Sequence, residues 1–228
     1  MTDLKRPPFL LFISIVLFIT ATDLIVTKLL PLEIEIICRI IPPWTIVILL
    51  PSWLNREEIG LVPSTFKNDL FWATKIASII LLGIVILGAM IFFGYQALMK
   101  TKIEITTTDL HSLADIPKTF LYMCIVAPLS EELIYRGLWV SILDRFLPHL
   151  LTIISSGILF ALLHLYYGRM LIWSIEYFLV GCFLAWIFLK TRNLWVVVYL
   201  HCLGNFAVLV KDIGILLLSR GLNFSISL

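Results

Sequence analysis

Apolar residues run along this chain in long charge-free blocks, and the charged residues gather in short clusters between them. A bilayer-spanning helix needs about 20 mostly apolar residues, so these blocks mark the predicted membrane segments. The first runs from Pro7 to Thr22 and extends through Asp23 to about Leu30. Ile40 to Leu54 is a second, short and interrupted by Pro42 and Pro43, which predicts a kinked span or a partly re-entrant one. Arg56 to Lys67, with Gly60 and Pro63, predicts a loop or interfacial turn, and Ile76 to Met99 then forms an uninterrupted third span.

Lys100 to Lys118 contains Thr106, Thr107, Thr108, Asp109 and His111 and is the longest predicted loop, placed to serve as a lid or a substrate-docking segment. A fourth segment begins near Pro117, runs uncharged from Thr119 to Ser130, meets Glu131, Glu132 and Arg136, and turns apolar again from Gly137 to Leu143. Phe146 to Gly168, Met170 to Leu189 (with Glu176 inside it) and Asn193 to Val210 complete the set. Ile213 to Ser219 is too short to cross alone and is either a docked amphipathic tail or the end of the seventh helix. The expected fold is therefore all-α: a polytopic membrane helix bundle of about seven spans, within a range of six to eight, around a hydrated intramembrane cavity. Residues 1–228 form one predicted membrane domain, with a motif-bearing core at about 117–210.

Composition narrows the function classes. Hydrophobic side chains make up 61% of the 228 residues and charged ones 14%, against about 25% charged in soluble domains, and mean hydropathy is +1.04. Seven spans leave only short connections, so a soluble catalytic head or a nucleotide-binding domain has no room. The net charge of +2 supplies no basic face, and no arginine-rich or aromatic-interleaved tract points to nucleic acid. Cys38, Cys124, Cys182 and Cys202 form no CxxC pair and are expected as buried small hydrophobes. Lys5 and Arg6 precede the first apolar run without a convincing cleavage pattern, so a retained first span is expected. Lysine and arginine fall eight to each side under a seven-span topology, with Arg39 assigned to a connection outside the spans and Arg136 within one, so they set no orientation.

Ionisable groups inside a span are expensive, about 2.5–3.5 kcal/mol each on insertion scales, and are functional candidates by default. The fourth segment holds three within six residues. On a helix Glu132 and Arg136 are i and i+4, acid before base, the favourable order for a pair. Glu131 is turned about 100° from Glu132, which leaves it as the surplus carboxylate, the kind of group a general base requires. Pro128 removes the helical hydrogen bond to the Cys124 carbonyl and is expected to kink the helix beside these groups. Two later helices add polar groups: Phe160 and His164 share one face, and His201 and Asn205 share another.

The ordered set Glu131-Glu132-x-x-x-Arg136, Phe160-x-x-x-His164 and His201-x-x-x-Asn205, each on an apolar helix, resembles the CAAX protease and bacteriocin-processing family of intramembrane endopeptidases, which includes the type II CAAX prenyl endopeptidase. The motifs span about a third of the chain, without a substitution. The resemblance implies peptide-bond hydrolysis in a water-filled cavity, with Glu131 as general base, His164 holding the water, and His201 and Asn205 donating to the oxyanion. Glu132 and Arg136 are then expected to fix the helix and the base, and Phe160 to exclude water or pack against substrate. A zinc alternative would use Glu131, His164 and His201 as three ligands with an open position. The absence of an HExxH helix and the double duty demanded of one carboxylate favour a metal-free reaction.

The resemblance implies a protein or peptide substrate with a membrane-associated end, and a multi-pass protein of a prokaryotic plasma membrane. It leaves open prenylated carboxy-terminal motifs, leader peptides and carboxy-terminal sorting tags. A proton-coupled transporter would use Glu131, Glu132, His164, Glu176 and His201 as a relay, but no inverted repeat accompanies them. An immunity or binding protein on the same scaffold would not need the surplus carboxylate.

Overall fold

A computed structural model of the chain describes residues 14, 17, 18, 20–22, 25, 32–49, 56–61, 65–99, 112–166 and 171–221, and among them there are helices and turns and no strand. Helix α1 is Leu32–Leu49 and α2 is Phe66–Met99. A composite helix α3 runs Leu113–Leu143, followed by α4 (His149–Tyr166), α5 (Leu171–Thr191) and α6 (Leu194–Gly221). Helices are what such a chain must form, because a bilayer interior offers no water to backbone N–H and C=O groups and each segment has to satisfy its own.

Four helices among the described residues are long and apolar enough to cross a membrane, Leu113–Leu143, His149–Tyr166, Ser174–Thr191 and Leu194–Leu217. The chain is a multi-pass membrane protein. The expected count of about seven spans is not reached among the described residues; most of the first predicted span lies outside them, as do residues 100–111 of the long loop. From Ser112 onward the loop expectation gives way to helix. The Ser112 N–H bonds the Asp115 carboxylate at 2.9 Å and opens the turn that starts α3.

Two further expectations are corrected. The second span begins at Leu32, not Ile40, and runs unbroken through Pro42 and Pro43 to Leu49. Arg39, assigned from sequence to a connection, is therefore inside a helix and only 2% exposed. Charge-free length is a poor boundary where an arginine has a carboxylate to face. At the other end, α6 continues through Lys211 and Asp212 to Gly221, which decides between the two readings of the tail in favour of a continued helix.

Two junctions hold the helices in register. At one end, Gly60 adopts φ +74 and its carbonyl accepts the Leu194 N–H at 2.9 Å. A Cβ there would lie 2.6 Å from that nitrogen, so the turn at residues 56–61 can dock on α6 only as glycine. Trp195 donates to the Leu61 carbonyl at 3.1 Å and stacks on Trp44 of α1. Arg145 bonds Glu58, and Arg192 bonds Asp144. At mid-bundle, Gly157 of α4 and Gly181 of α5 let the two backbones approach so closely that a Cβ on Gly181 would sit 2.9 Å from the Gly157 Cα. Small residues at such a seam are how membrane helices pack without a hydrophobic driving force between them.

Candidate active site

The polar groups are organised by irregularities within α3. Its α-helical turns at Ile116–Leu121, Ala127–Glu132 and Ser141–Leu143 are separated by two π-helical stretches, Tyr122–Val126 and Leu133–Val140. Such bulges widen a helix by one residue and occur often at functional sites. Their effect on the backbone corrects the sequence expectation for Pro128. The Ala127 N–H bonds the Tyr122 carbonyl, five residues back, so in this register Pro128 stands opposite Met123 and it is the Met123 carbonyl, not that of Cys124, that lacks a helical donor. Asn205 of α6 supplies one: its Nδ2 donates to the Met123 oxygen at 2.7 Å.

Between the two π stretches, Glu131 and Glu132 are 5% and 0% exposed and face different helices. Glu132 Oε1 accepts from Arg136 Nη1 at 2.7 Å, the i,i+4 pair anticipated from spacing. The same oxygen lies 2.7 Å from His201 Nδ1 on α6, a contact that spacing could not reveal. Arg136 is fully buried; its Nη2 donates to the Gly181 carbonyl at 3.2 Å and its guanidinium carbon lies 4.8 Å from the Phe160 ring centroid. The close α4–α5 seam thus delivers a backbone acceptor to a buried cation.

Glu131 does not stand alone, as the spacing argument expected. Arg39 Nη1 of α1 lies 3.6 Å from its Oε1, and the Arg39 guanidinium carbon is 5.5 Å from the Tyr122 ring centroid. Arg39 was missed because it lies 92 positions from Glu131 and outside every motif. Its one sequence signal is an arginine immediately before an apolar block.

Phe160 is the hub joining the motifs. Its ring contacts Tyr135, His164, Tyr177 and His201 at centroid separations of 5.9, 4.6, 6.4 and 5.8 Å. His164 Nδ1 is 2.8 Å from the Phe160 carbonyl. A carbonyl oxygen can only accept, so Nδ1 carries the proton and Nε2 presents the lone pair. The ring is held flat against Tyr177 of α5, with centroids 3.8 Å apart and planes at 17°. Sequence reading did not single out Tyr177; it carries no motif position. Glu176, the preceding residue, is exposed.

The structure therefore links Glu132, Arg136, Phe160, His164 and His201 through direct contacts, ties Asn205 to the π turn above them, and pairs Glu131 with Arg39. It does not assemble the three-ligand alternative. No group of three His, Cys, Asp or Glu side chains among the described residues is placed to hold a metal ion.

Residues 113–207 match the family model described as type II CAAX prenyl endopeptidase Rce1-like. No curated protein and no solved structure matches the chain. The matched segment begins where α3 begins, ends two residues past Asn205, and contains all three motifs while leaving α1 and α2 outside. Neither transport nor immunity finds support in this comparison. The resemblance read from the motifs is borne out as a match: the segment that carries all three motifs is similar to the Rce1-like type II CAAX prenyl endopeptidase family, a family of CAAX-type intramembrane proteases.

Proposed function

We propose that this protein is an intramembrane endopeptidase that hydrolyses a peptide bond near the membrane-associated end of a protein or peptide substrate, using water activated by Glu131. Its setting in this reading is a prokaryotic plasma membrane, which accords with the compact chain. The observation that carries the proposal is the unequal hold on two adjacent carboxylates. Glu132 is engaged at 2.7 Å by two donors on one oxygen, whereas Glu131 faces a single cation at 3.6 Å, beyond the usual hydrogen-bond distance. The two close contacts hold Glu132 in place, whereas the wider contact leaves the Glu131 carboxylate room to engage a water.

In the reaction Glu131 takes a proton from water as the oxygen bonds to the substrate carbonyl carbon, and the carbonyl π electrons move to oxygen. His164, with its lone pair on Nε2, accepts a hydrogen bond from the same water. His201 and the second Asn205 amide N–H donate to the oxyanion. Because His201 Nδ1 already faces Glu132, donation through Nε2 requires the doubly protonated ring, and the Glu132 carboxylate stabilises that imidazolium much as a triad acid does. Collapse breaks the C–N bond, and the amine leaves with the proton from Glu131. Arg136 neutralises and orients Glu132, and Phe160 keeps bulk water from the histidines.

The test is cleavage of a carboxy-terminal peptide library by the purified protein in lipid vesicles. Glu131→Gln should abolish turnover with the melting transition retained, and His164→Ala should lower kcat by about 10²–10⁴-fold, the range for loss of acid–base assistance. Unchanged turnover by Glu131→Gln would remove the proposal.

A further inference from the structure

The geometry points to Arg39 as a positioning residue for Glu131, supplied by a helix outside the family segment. Arg39 belongs to α1, whereas the motifs lie within residues 113–207. Its side chain is buried, one guanidinium nitrogen is 3.6 Å from the Glu131 carboxylate, and the guanidinium carbon stands over Tyr122 in the π turn that precedes the acidic pair. Five residues on, Trp44 stacks on Trp195 of α6, so α1 is fixed against the motif-bearing helices at a second point and Arg39 is not a side chain on a loose element.

Charge counting gives Arg39 its role. Glu131 and Glu132 are opposed by Arg136 and Arg39, and the four formal charges cancel. Without Arg39 the charge of Glu131 would no longer be opposed by that cation, and the carboxylate would lose the contact that holds its orientation. Arg39 touches neither water nor substrate in this scheme; it acts through Glu131. The contact at 3.6 Å brings a positive charge to the carboxylate, and a lysine of similar reach can supply that charge, though not the guanidinium plane over Tyr122.

This inference rests on the reading of Glu131 as the base, and the experiment separates the two. Full-length protein in vesicles is compared as wild type, Arg39→Lys, Arg39→Met, Glu131→Gln and Arg39→Met/Glu131→Gln. Arg39→Met should lower kcat about 10²-fold, the scale of a misplaced reacting group, with KM unchanged, and Arg39→Lys should restore most of it. Arg39→Met should lower Tm in the wild-type background and not in Glu131→Gln, because only the former leaves a buried carboxylate unopposed. Wild-type kcat in Arg39→Met overturns the inference, as does an Arg39→Lys enzyme no better than Arg39→Met. If Arg39→Met does not fold, Arg39→Lys decides alone: kcat near wild type supports the role, and a full 10²-fold loss overturns it. Turnover by Glu131→Gln removes the base assignment instead, while an inactive Glu131→Gln beside an unaffected Arg39→Met removes only the inference.

Discussion

The α4–α5 seam offers a test in which one substitution changes sign with its surroundings. Gly181→Ala adds a Cβ that would lie 2.9 Å from the Gly157 Cα and 3.0 Å from the Phe160 Cβ. Non-bonded carbons prefer about 3.5–4.0 Å, and the nearest obstacle is backbone that cannot rotate aside, so the two helices must part by roughly 0.5–1 Å. Overpacking of this kind costs about 1–3 kcal/mol, partly offset by the ~0.5–1 kcal/mol that alanine gains over glycine inside a helix. The net loss of about 0–2.5 kcal/mol corresponds to a Tm lowered by up to roughly 10 °C for a chain of this size. Gly83→Ala in α2 is the control. Its Cβ meets nothing within 4 Å, so only the helical gain applies and Tm should rise.

Activity should fall further than stability. The Gly181 carbonyl accepts from Arg136 Nη2 at 3.2 Å, and Phe160, the residue pushed by the new methyl, contacts His164, His201 and the Arg136 guanidinium. A shift approaching 1 Å at that hub should reduce kcat about 10²-fold. Thermal unfolding in detergent and peptide cleavage at a temperature well below Tm measure the two effects separately. A Gly181→Ala protein as stable and as active as Gly83→Ala would refute the claim that a close backbone approach positions the site.

Glu132→Gln should lower Tm by about 6–20 °C, because breaking a buried ion pair costs about 3–5 kcal/mol, and Arg136 has no exposed surface through which to find water. Adding Arg136→Met should recover much of that loss, and an unchanged Tm in the single variant would deny the pair its role. Asn205→Ala should reduce kcat about 10²–10³-fold as an oxyanion donor is lost. It should also cost about 1–3 kcal/mol through the orphaned Met123 carbonyl; a lowered Tm with kcat intact would assign Asn205 to the backbone alone.

What was legible in the sequence is what local spacing determines. The i,i+4 relation pairs Glu132 with Arg136 and puts Phe160 beside His164, and apolar length located α3 to α5 and the start of α6 to within a few residues. What was not legible depends on other helices or on register. Helical spacing puts Glu131 and Glu132 on different faces but cannot say that one faces Arg39 and the other His201. Pro128 announces an unsatisfied carbonyl, but which one depends on whether the preceding turn closes over four residues or five, and the π turn moves it from Cys124 to Met123. Arg39 was misplaced because the boundary rule treats every charge as a span end. Buried charge was the signal used for Glu131 and the reason Arg39 was set aside, and the two residues face each other.

This pairing bears on why the cluster exists. Buried ion pairs contribute little to stability, since desolvation of several kcal/mol per ion offsets most of their attraction and apolar residues of similar volume often serve as well. In a chain with 32 charged residues, 17 basic and 15 acidic, placing Arg39, Glu131, Glu132 and Arg136 together in an apolar interior is not a route to a firmer fold. The arrangement is explained by what it leaves available. Arg136 and His201 occupy Glu132, while Arg39 faces Glu131 without bonding it closely, which in the proposed reading leaves Glu131 to engage water. Removing any one of the four charges upsets that balance, whereas replacing all of them by apolar residues would spare the fold and eliminate the chemistry. In the proposed reading the cluster serves a reaction carried out within the bilayer.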